Sequence, residues 1–377
     1  MDKERFGFGA NWADYIERNF SEERLEISRN HLLSFLKLPG LNGKTFLDIG
    51  CGSGLHSLAA LKSGADRIVS IDYDENSVKT TQYLHQYAGS PPHWEIYQGS
   101  VLDTDFMSTL GTFDIVYSWG VLHHTGDMWN AIRNAATTLK DDGVFYIALY
   151  TTDVYTGITP DRWLNIKKSY NQAGPLKKKL MEFSYASKTL FIPYLIQAKN
   201  PIAFMRDYKQ SRGMSYWTDI RDWLGGWPME FAGLQETKAF GREELGLELL
   251  NISAGEANTE YLFRKQSSEN YWDDFIKARP LIPMSGPFEH VGKLAWSADM
   301  AGLQETADDI GNPKRSDLML YENGEPLGFA HVPLSHIQAY GNSRYSHWEN
   351  KLIFSSTDNT DPNTNQRTYA YRLAILA

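Results

Sequence analysis

Residues 45–54, TFLDIGCGSG, set an apolar run directly before three glycines at alternate positions. Thr45, Phe46, Leu47 and Ile49 predict a short buried strand, because a brief apolar run bounded by glycine suits the core of a parallel sheet. Gly50, Gly52 and Gly54 take side chains away where the backbone must turn sharply and let a ligand approach. Leu55, Leu58, Ala59 and Leu61 then recur at helical spacing over Leu55–Gly64. The glycines thus sit at a strand-to-helix turn, the ligand crevice of a doubly wound α/β sheet.

A dinucleotide site of the G-x-G-x-x-G kind needs glycine at its sixth position. Here Leu55 stands at that position, and the third glycine arrives one residue early, at Gly54. Asp48 precedes the loop, and Asp72 follows Gly50 by 22 positions, at the end of the apolar run Ile68–Ile71. An acid there can accept both hydroxyls of a ribose.

Further along, strands and helices alternate up to Tyr150. Strands are predicted at Arg67–Tyr73, His93–Gly99, Phe113–Trp119 and Val144–Tyr150, and helices at Asn76–Ala88 and Met128–Lys140. Asp141-Asp142-Gly143 reads as a turn. The order predicts a five-stranded parallel sheet with right-handed crossovers. Ahead of it, Ser21 with Glu22 and Glu23 predicts a helix start, in an N-terminal helical arm over 1–44. The aromatic stretch Phe6–Trp12 of that arm reads as a segment pinned to the surface, with a lid over the ligand as the sharper alternative. Thr151–Pro228 breaks the rhythm as a helical insertion rich in lysine and tryptophan, before strand character returns in Leu247–Ile252 and Thr259–Phe263 as an antiparallel edge to the sheet. A boundary is expected at Ser267–Asn270, and 271–377, with short apolar runs between Gly, Pro, Asn and Asp clusters, predicts a small all-β module. Its predicted strands are Asp317–Tyr321, Leu327–His331, Lys351–Phe354 and Tyr369–Leu373.

The pattern DIGCGSG with the downstream IDYD resembles the cofactor site of class I S-adenosylmethionine-dependent methyltransferases, and the resemblance covers Phe46–Lys265. It implies a Rossmann-like methyltransferase domain over 45–266, with S-adenosylmethionine as cofactor and an acceptor-site insertion at 151–228. Carried over by position, Asp48, Gly50, Gly52 and Gly54 would line the methionyl part and Asp72 would bind the ribose. Cys51 and Tyr73, beside them, are counted with the cofactor site. Ser100 and Val101 would frame the adenine, with backbone groups or Asp103 replacing the acid that the family often has at Ser100. Ser118 and Trp119 would face the methionine end. His123 and His124, in the stretch WGVLHHT after the fourth predicted strand, are the candidate bases, since histidine titrates near neutrality. The bland alternative is that one packs and the other bonds to the backbone.

The 377 residues are 42% hydrophobic and 22% charged with a net charge of −9, which argues against a general nucleic-acid binder. Cys51 is the only cysteine, so no internal disulfide can form, and it reads as a packed residue rather than a nucleophile. Met1–Ala10 lacks the apolar core of a secretory signal, and the longest apolar run, Leu190–Ile196, is too short to cross a bilayer. A cytoplasmic protein is expected. The insertion's lysines read first as a solvated face, with contact to a phosphate or an anionic membrane as the alternative. The loop Asp358–Asn365 mimics the start of a calcium loop, but Gln366 stands where glycine is needed and Arg372 where glutamate is needed. It reads as an Asx-turn loop, and no metal site is expected. The 317–371 segment resembles β modules appended to transferases of bacterial surface-polysaccharide clusters.

These readings converge on a methyltransferase acting on a small-molecule or glycan hydroxyl. The rivals are a methyltransferase for quinones or other aromatic metabolites and a non-catalytic binding protein with a degenerate methyltransferase fold.

Overall fold

The computed structural model describes residues 20–154, 159–212, 215–255, 258–265 and 279–373. The Phe6–Trp12 segment and the expected boundary at Ser267–Asn270 lie outside them. The chain divides into two compact units, Met1–Gly233 and Leu234–Ala377.

The first unit is built on five strands: β1 (Thr45–Ile49), β2 (Arg67–Asp72), β3 (Trp94–Gln98), β4 (Phe113–Trp119) and β5 (Leu139–Tyr150). They lie parallel in the order β3-β2-β1-β4-β5. The order reverses between β1 and β4, and there the strand ends leave a crevice at the C-terminal edge. β1 is central, with Phe46 beside Ile68 on one side and Ile115 on the other, and Phe46, Leu47 and Ile49 are buried. Helices Leu55–Lys62, Glu75–Tyr87, Thr104–Thr109 and Met128–Thr137 make the crossovers. Glu22–Leu36 precedes them, capped by Ser21, whose Oγ accepts from the Arg24 amide at 3.2 Å.

One prediction needs correction. Asp141–Gly143 is not a turn between a helix and a strand, because β5 already begins at Leu139. Phe113 pairs with Leu139 but Ile115 pairs with Val144, so the extra residues bulge out of β5. Asp114 fastens the strand starts, accepting from the Thr45 amide and hydroxyl (2.8 and 2.6 Å) and from Lys140 Nζ (2.8 Å).

The insertion comprises helices Pro160–Asn171, Pro175–Ala186, Ile192–Ile196, Pro201–Arg212 and Tyr216–Gly225, with a π turn at Ser187–Phe191. Pro193 stands in the first turn of Ile192–Ile196, which continues directly from the π turn. Trp163, Tyr170, Ala186, Leu190, Tyr216, Ile220 and Leu224 form the insertion's own core.

In the second unit β6 (Leu247–Ala254) and β7 (Asn258–Lys265) make an antiparallel hairpin. Eight short strands follow: β8 (Ile282–Met284), β9 (Glu289–His290), β10 (Trp296–Asp299), β11 (Leu318–Glu322), β12 (Glu325–Pro326), β13 (Tyr345–Trp348), β14 (Lys351–Phe354) and β15 (Tyr369–Leu373). They form two antiparallel sheets, β13-β14-β10-β9 and β12-β11-β15-β8, around Phe288, Leu318, Leu320, Leu352, Phe354 and Tyr369. Leu327–His331, predicted as a strand, forms no strand of its own: a bridge links Phe329 to Arg344, and the Leu327 amide donates to the Leu320 carbonyl at 2.8 Å. In the Asp358–Asn365 loop the Asp358 and Asp361 side chains accept from the Thr360 and Asn363 amides (3.1 and 2.8 Å), which are Asx turns.

The hairpin side of the expected boundary at 267–270 is in contact with the β sheets beyond it. Lys238 Nζ donates to the Pro326 carbonyl, and Arg242 pairs with Glu325 at 2.5 Å. A Cβ on Gly328 would lie 2.3 Å from Leu234 Cδ1 and 3.3 Å from Ile252 Cδ1. A chain cut after Gln266 uncovers Leu234 and Ile252 and strands the buried Lys238 amine. It is therefore expected to melt below the full chain or to aggregate. An unchanged melting temperature would show that the hairpin does not depend on the β sheets.

Candidate active site

The glycine loop is held from both ends. The Gly50 and Cys51 amides donate to the Ile71 carbonyl (2.8 and 3.0 Å), which prolongs the β1–β2 pairing into the turn. Gly50 and Gly54 have φ of +77° and +78°, where an L side chain is strained. A Cβ on Gly50 would meet the Val121 methyls at 2.4 Å, and one on Gly54 would meet Thr81 Cα at 2.9 Å. Both positions are closed to any other residue by conformation and by space.

Asp72 closes the loop from β2. Its Oδ2 accepts from the Gly52 amide at 2.9 Å and its Oδ1 from the Asp74 amide at 2.8 Å. Burial raises its pKa against the pull of these two amides and of the Ser77 hydroxyl. A carboxylate has about four acceptor positions, so acceptor capacity for a hydroxyl remains beyond these donors. That is what a ribose diol requires, and the carboxylate fits the implied cofactor.

Asp48 lies deeper. It is 1% exposed, and its Oδ2 accepts from Ser57 Oγ at 2.5 Å. Ser57 Oγ in turn lies 2.7 Å from Ser70 Oγ, which accepts from Trp94 Nε1 at 2.8 Å. Burial pushes the Asp48 pKa up to about 7. Cys51 is buried too, its Sγ accepting from Thr81 Oγ1 at 3.2 Å, and burial raises its thiol well above the ordinary range. A buried thiol held protonated is a packing group.

Around the crevice, Tyr73 and Trp119 stand 49% and 40% exposed at the ends of β2 and β4. Ser100 Oγ accepts from the Leu102 amide at 3.2 Å, and buried Val101 offers its carbonyl to Asn134 Nδ2 at 2.9 Å. Asp103 is exposed and caps Thr104–Thr109 through the Phe106 amide at 3.0 Å. Ser118 is buried, with its hydroxyl donating to the Ile49 carbonyl at 2.9 Å.

The two histidines differ. His124 Nδ1 lies 2.7 Å from the Pro228 carbonyl, an acceptor, so that nitrogen carries the proton. His123 is wholly buried, 4.4 Å from the His124 ring and 4.3 Å from the Tyr150 ring. Neither of its ring nitrogens has a hydrogen-bond partner among the described residues. Burial first, then the charges of His124 and Lys167, hold its pKa well below the ordinary value, so the ring is neutral.

Residues that sequence reasoning missed pack around this ring or tie its turn. Tyr150 ends β5 and faces Trp223 and Phe231 (ring centroids 5.8 and 6.2 Å). Its place at a strand C-terminus was the available signal. Lys167 is 1% exposed, donates to the Trp223 carbonyl and lies 5.0 Å from that ring, and burial pushes its pKa down to about 7. Glu230 ties the histidine turn, its amide donating to the His123 carbonyl at 2.8 Å and its carboxylate accepting from the Met128 amide at 2.9 Å. Lys167 comes from the insertion and Glu230 from just beyond it, 44 and 107 positions after His123, and no local pattern marks their place beside it.

Residues 47–147 match the family model of a methyltransferase domain. A tRNA U34 carboxymethyltransferase of Hahella chejuensis is 29% identical over 133 residues, which cover 34% of this chain and 40% of that protein. A ribosomal protein L11 methyltransferase of Tolumonas auensis is 40% identical over 65 residues, covering 17% of this chain and 22% of that one. The chain thus spans less than half the length of either relative. Among solved structures, PKMT2 from Rickettsia typhi in complex with AdoHcy aligns with a TM-score of 0.44 at 15% identity, over 69% of this chain and 58% of that one. An O-methyltransferase family protein from Burkholderia thailandensis aligns at 0.41 and 13%, over 69% and 60%.

The Asp48 carboxyl generates a pH prediction. Its folded pKa lies above the unfolded value, so the folded state holds the extra proton between about pH 4 and 7, and stability falls as pH rises through that window. Asp48→Asn is expected to flatten this slope and to gain about 1–3 kcal/mol at pH 8 relative to pH 5. Thermal melts at the two pH values check it; equal slopes in both proteins would mean that Asp48 is ionised throughout. Residues 47–147 thus carry a methyltransferase domain.

Proposed function

We propose that the whole chain transfers the methyl group of S-adenosylmethionine to a hydroxyl of a small molecule or glycan, with His123 as the general base. The observation that carries this reading is the neutral, buried His123 ring, whose nitrogens lack partners. Buried polar atoms are normally satisfied, and an entering hydroxyl would supply the missing bond.

When bound, S-adenosylmethionine supplies a methyl group on a positively charged sulfur. Asp72 would hold the ribose, the glycine loop the methionyl part, and Ser100 and Val101 with Tyr73 the adenine side. Tyr150, Trp223 and Phe231 surround the acceptor end with rings and exclude water. His123 takes the hydroxyl proton as the oxygen attacks, and alignment supplies much of the rate. His124, tethered to Pro228, positions the neighbouring ring.

A tRNA acceptor is the second reading, favoured by the name of the Hahella relative and by the insertion's basic residues. The ring-lined pocket equally admits a quinone or other aromatic metabolite. Transfer of labelled methyl into a panel of nucleotide sugars, glycans, phenols and tRNA decides among them. Label in tRNA alone would overturn the hydroxyl small-molecule reading, and an absence of cofactor binding would leave a non-catalytic protein.

Asp72→Ala is expected to weaken S-adenosylmethionine binding by about 1.5–3 kcal/mol in calorimetry, the scale for bonds to a charged group. An undiminished affinity would remove this carboxylate from the ribose. His123→Ala is expected to lower turnover about 10²–10⁴-fold with cofactor affinity unchanged. Because the His123 pKa is depressed, its basic form persists into acid, and the wild-type rate should stay level from pH 8 down to about pH 6. A rate that falls already from pH 8 to 7 would assign the base to another group.

A further inference from the structure

The insertion of the first unit turns an apolar stripe outward. Leu176, Leu180 and Phe183 recur at i, i+4 and i+7 along Pro175–Ala186, one line on a helix, and are 60–75% exposed. Beyond the π turn Ser187–Phe191, Ile192, Leu195 and Ile196 are exposed as well, followed by Ile202 on the next helix. The Phe183 and Phe191 rings, 6.1 Å apart, join the two parts. These side chains are not the inward face: Ala186 and Leu190 are, packed with Trp163 and Tyr216 in the insertion's core.

The charge pattern says what covers the stripe. Helical geometry sets Lys177 and Lys179 on its two sides, and Lys188 and Lys199 follow along it; all four are exposed. Residues 162–206 contain nine basic residues and one acidic one, Glu182, in a chain of net charge −9. Glu182 is engaged inward, accepting from the Tyr170 hydroxyl at 2.6 Å and lying 3.6 Å from Arg221. A second copy of this surface would set lysine against lysine, and a nucleic acid would leave the leucines and isoleucines in water. An anionic bilayer satisfies both halves, with apolar side chains at the acyl boundary and lysines at the phosphates. We propose that helices Pro175–Ala186 and Ile192–Ile196 dock this protein peripherally on anionic lipid bilayers.

The proposal is independent of the methyl acceptor, since vesicle binding requires neither acceptor nor cofactor. The full chain is sedimented with phosphatidylcholine vesicles, with and without about 30% phosphatidylglycerol, at low and high salt. It is expected to pellet with the anionic vesicles at low salt and to be largely released at high salt. Leu180→Ser with Phe183→Ser, and separately Lys177→Glu with Lys179→Glu, should each lower binding about 10-fold or more. All four side chains are exposed, so melting temperatures should match wild type, and the wild-type lipid and salt comparison stands without the variants. Failure to bind anionic vesicles, equal binding to phosphatidylcholine alone, or full binding by both double variants would overturn the proposal. So would a wild-type dimer in solution that Leu180→Ser with Phe183→Ser dissolves.

Discussion

The left-handed turn at Gly50 is the constraint on which the site depends. Its Cα faces the Val121 methyls so closely that no side chain fits between them. That contact presses the loop after β1 against the turn after β4, the two strands flanking the reversal of sheet order. Ser118 adds a bond from β4 to the Ile49 carbonyl, and Asp72 adds one from β2 to the Gly52 amide. Three strand ends are thereby locked in one place, and rigid strands position groups better than free loops do.

This architecture separates two kinds of buried polarity. The chain from Asp48 through Ser57 and Ser70 to Trp94 is satisfied at each link and anchors the loop from below. The cluster of His123, Lys167 and Trp223 is not: both His123 nitrogens and Trp223 Nε1 lack partners among the described residues. Satisfied networks stiffen a fold, whereas unsatisfied buried groups carry a cost that a ligand can relieve. The second cluster joins the histidine turn of the α/β core to the helical insertion.

The second unit follows another logic. Its short strands carry Asx turns and a buried ion-pair group at Glu322, which accepts from Arg367, Thr357 and the Tyr369 hydroxyl. Its hairpin, β6–β7, shares Lys238–Pro326 and Arg242–Glu325 with the sheets beyond it. Contacts therefore run across the compositional break at 267–270. A break in composition marks where the chain changes local structure, while a unit is defined by which surfaces bury one another.

The sequence by itself determined the five-strand core, because each strand is an apolar run with its own punctuation and each glycine at positive φ is local in cause. It also singled out Asp72, since an acid at the end of the next strand follows from the topology. It misplaced the start of β5 because Asp141-Asp142-Gly143 has turn composition whether it ends an element or bulges out of a strand; only the pairing of Ile115 with Val144 decides. The tertiary structure alone decided that Asp48 is buried beneath the loop, that His123 is neutral, and that Tyr150, Lys167 and Trp223 surround it. Burial and pKa depend on residues distant in the chain brought within a few ångströms, and no local pattern of spacing encodes that distance.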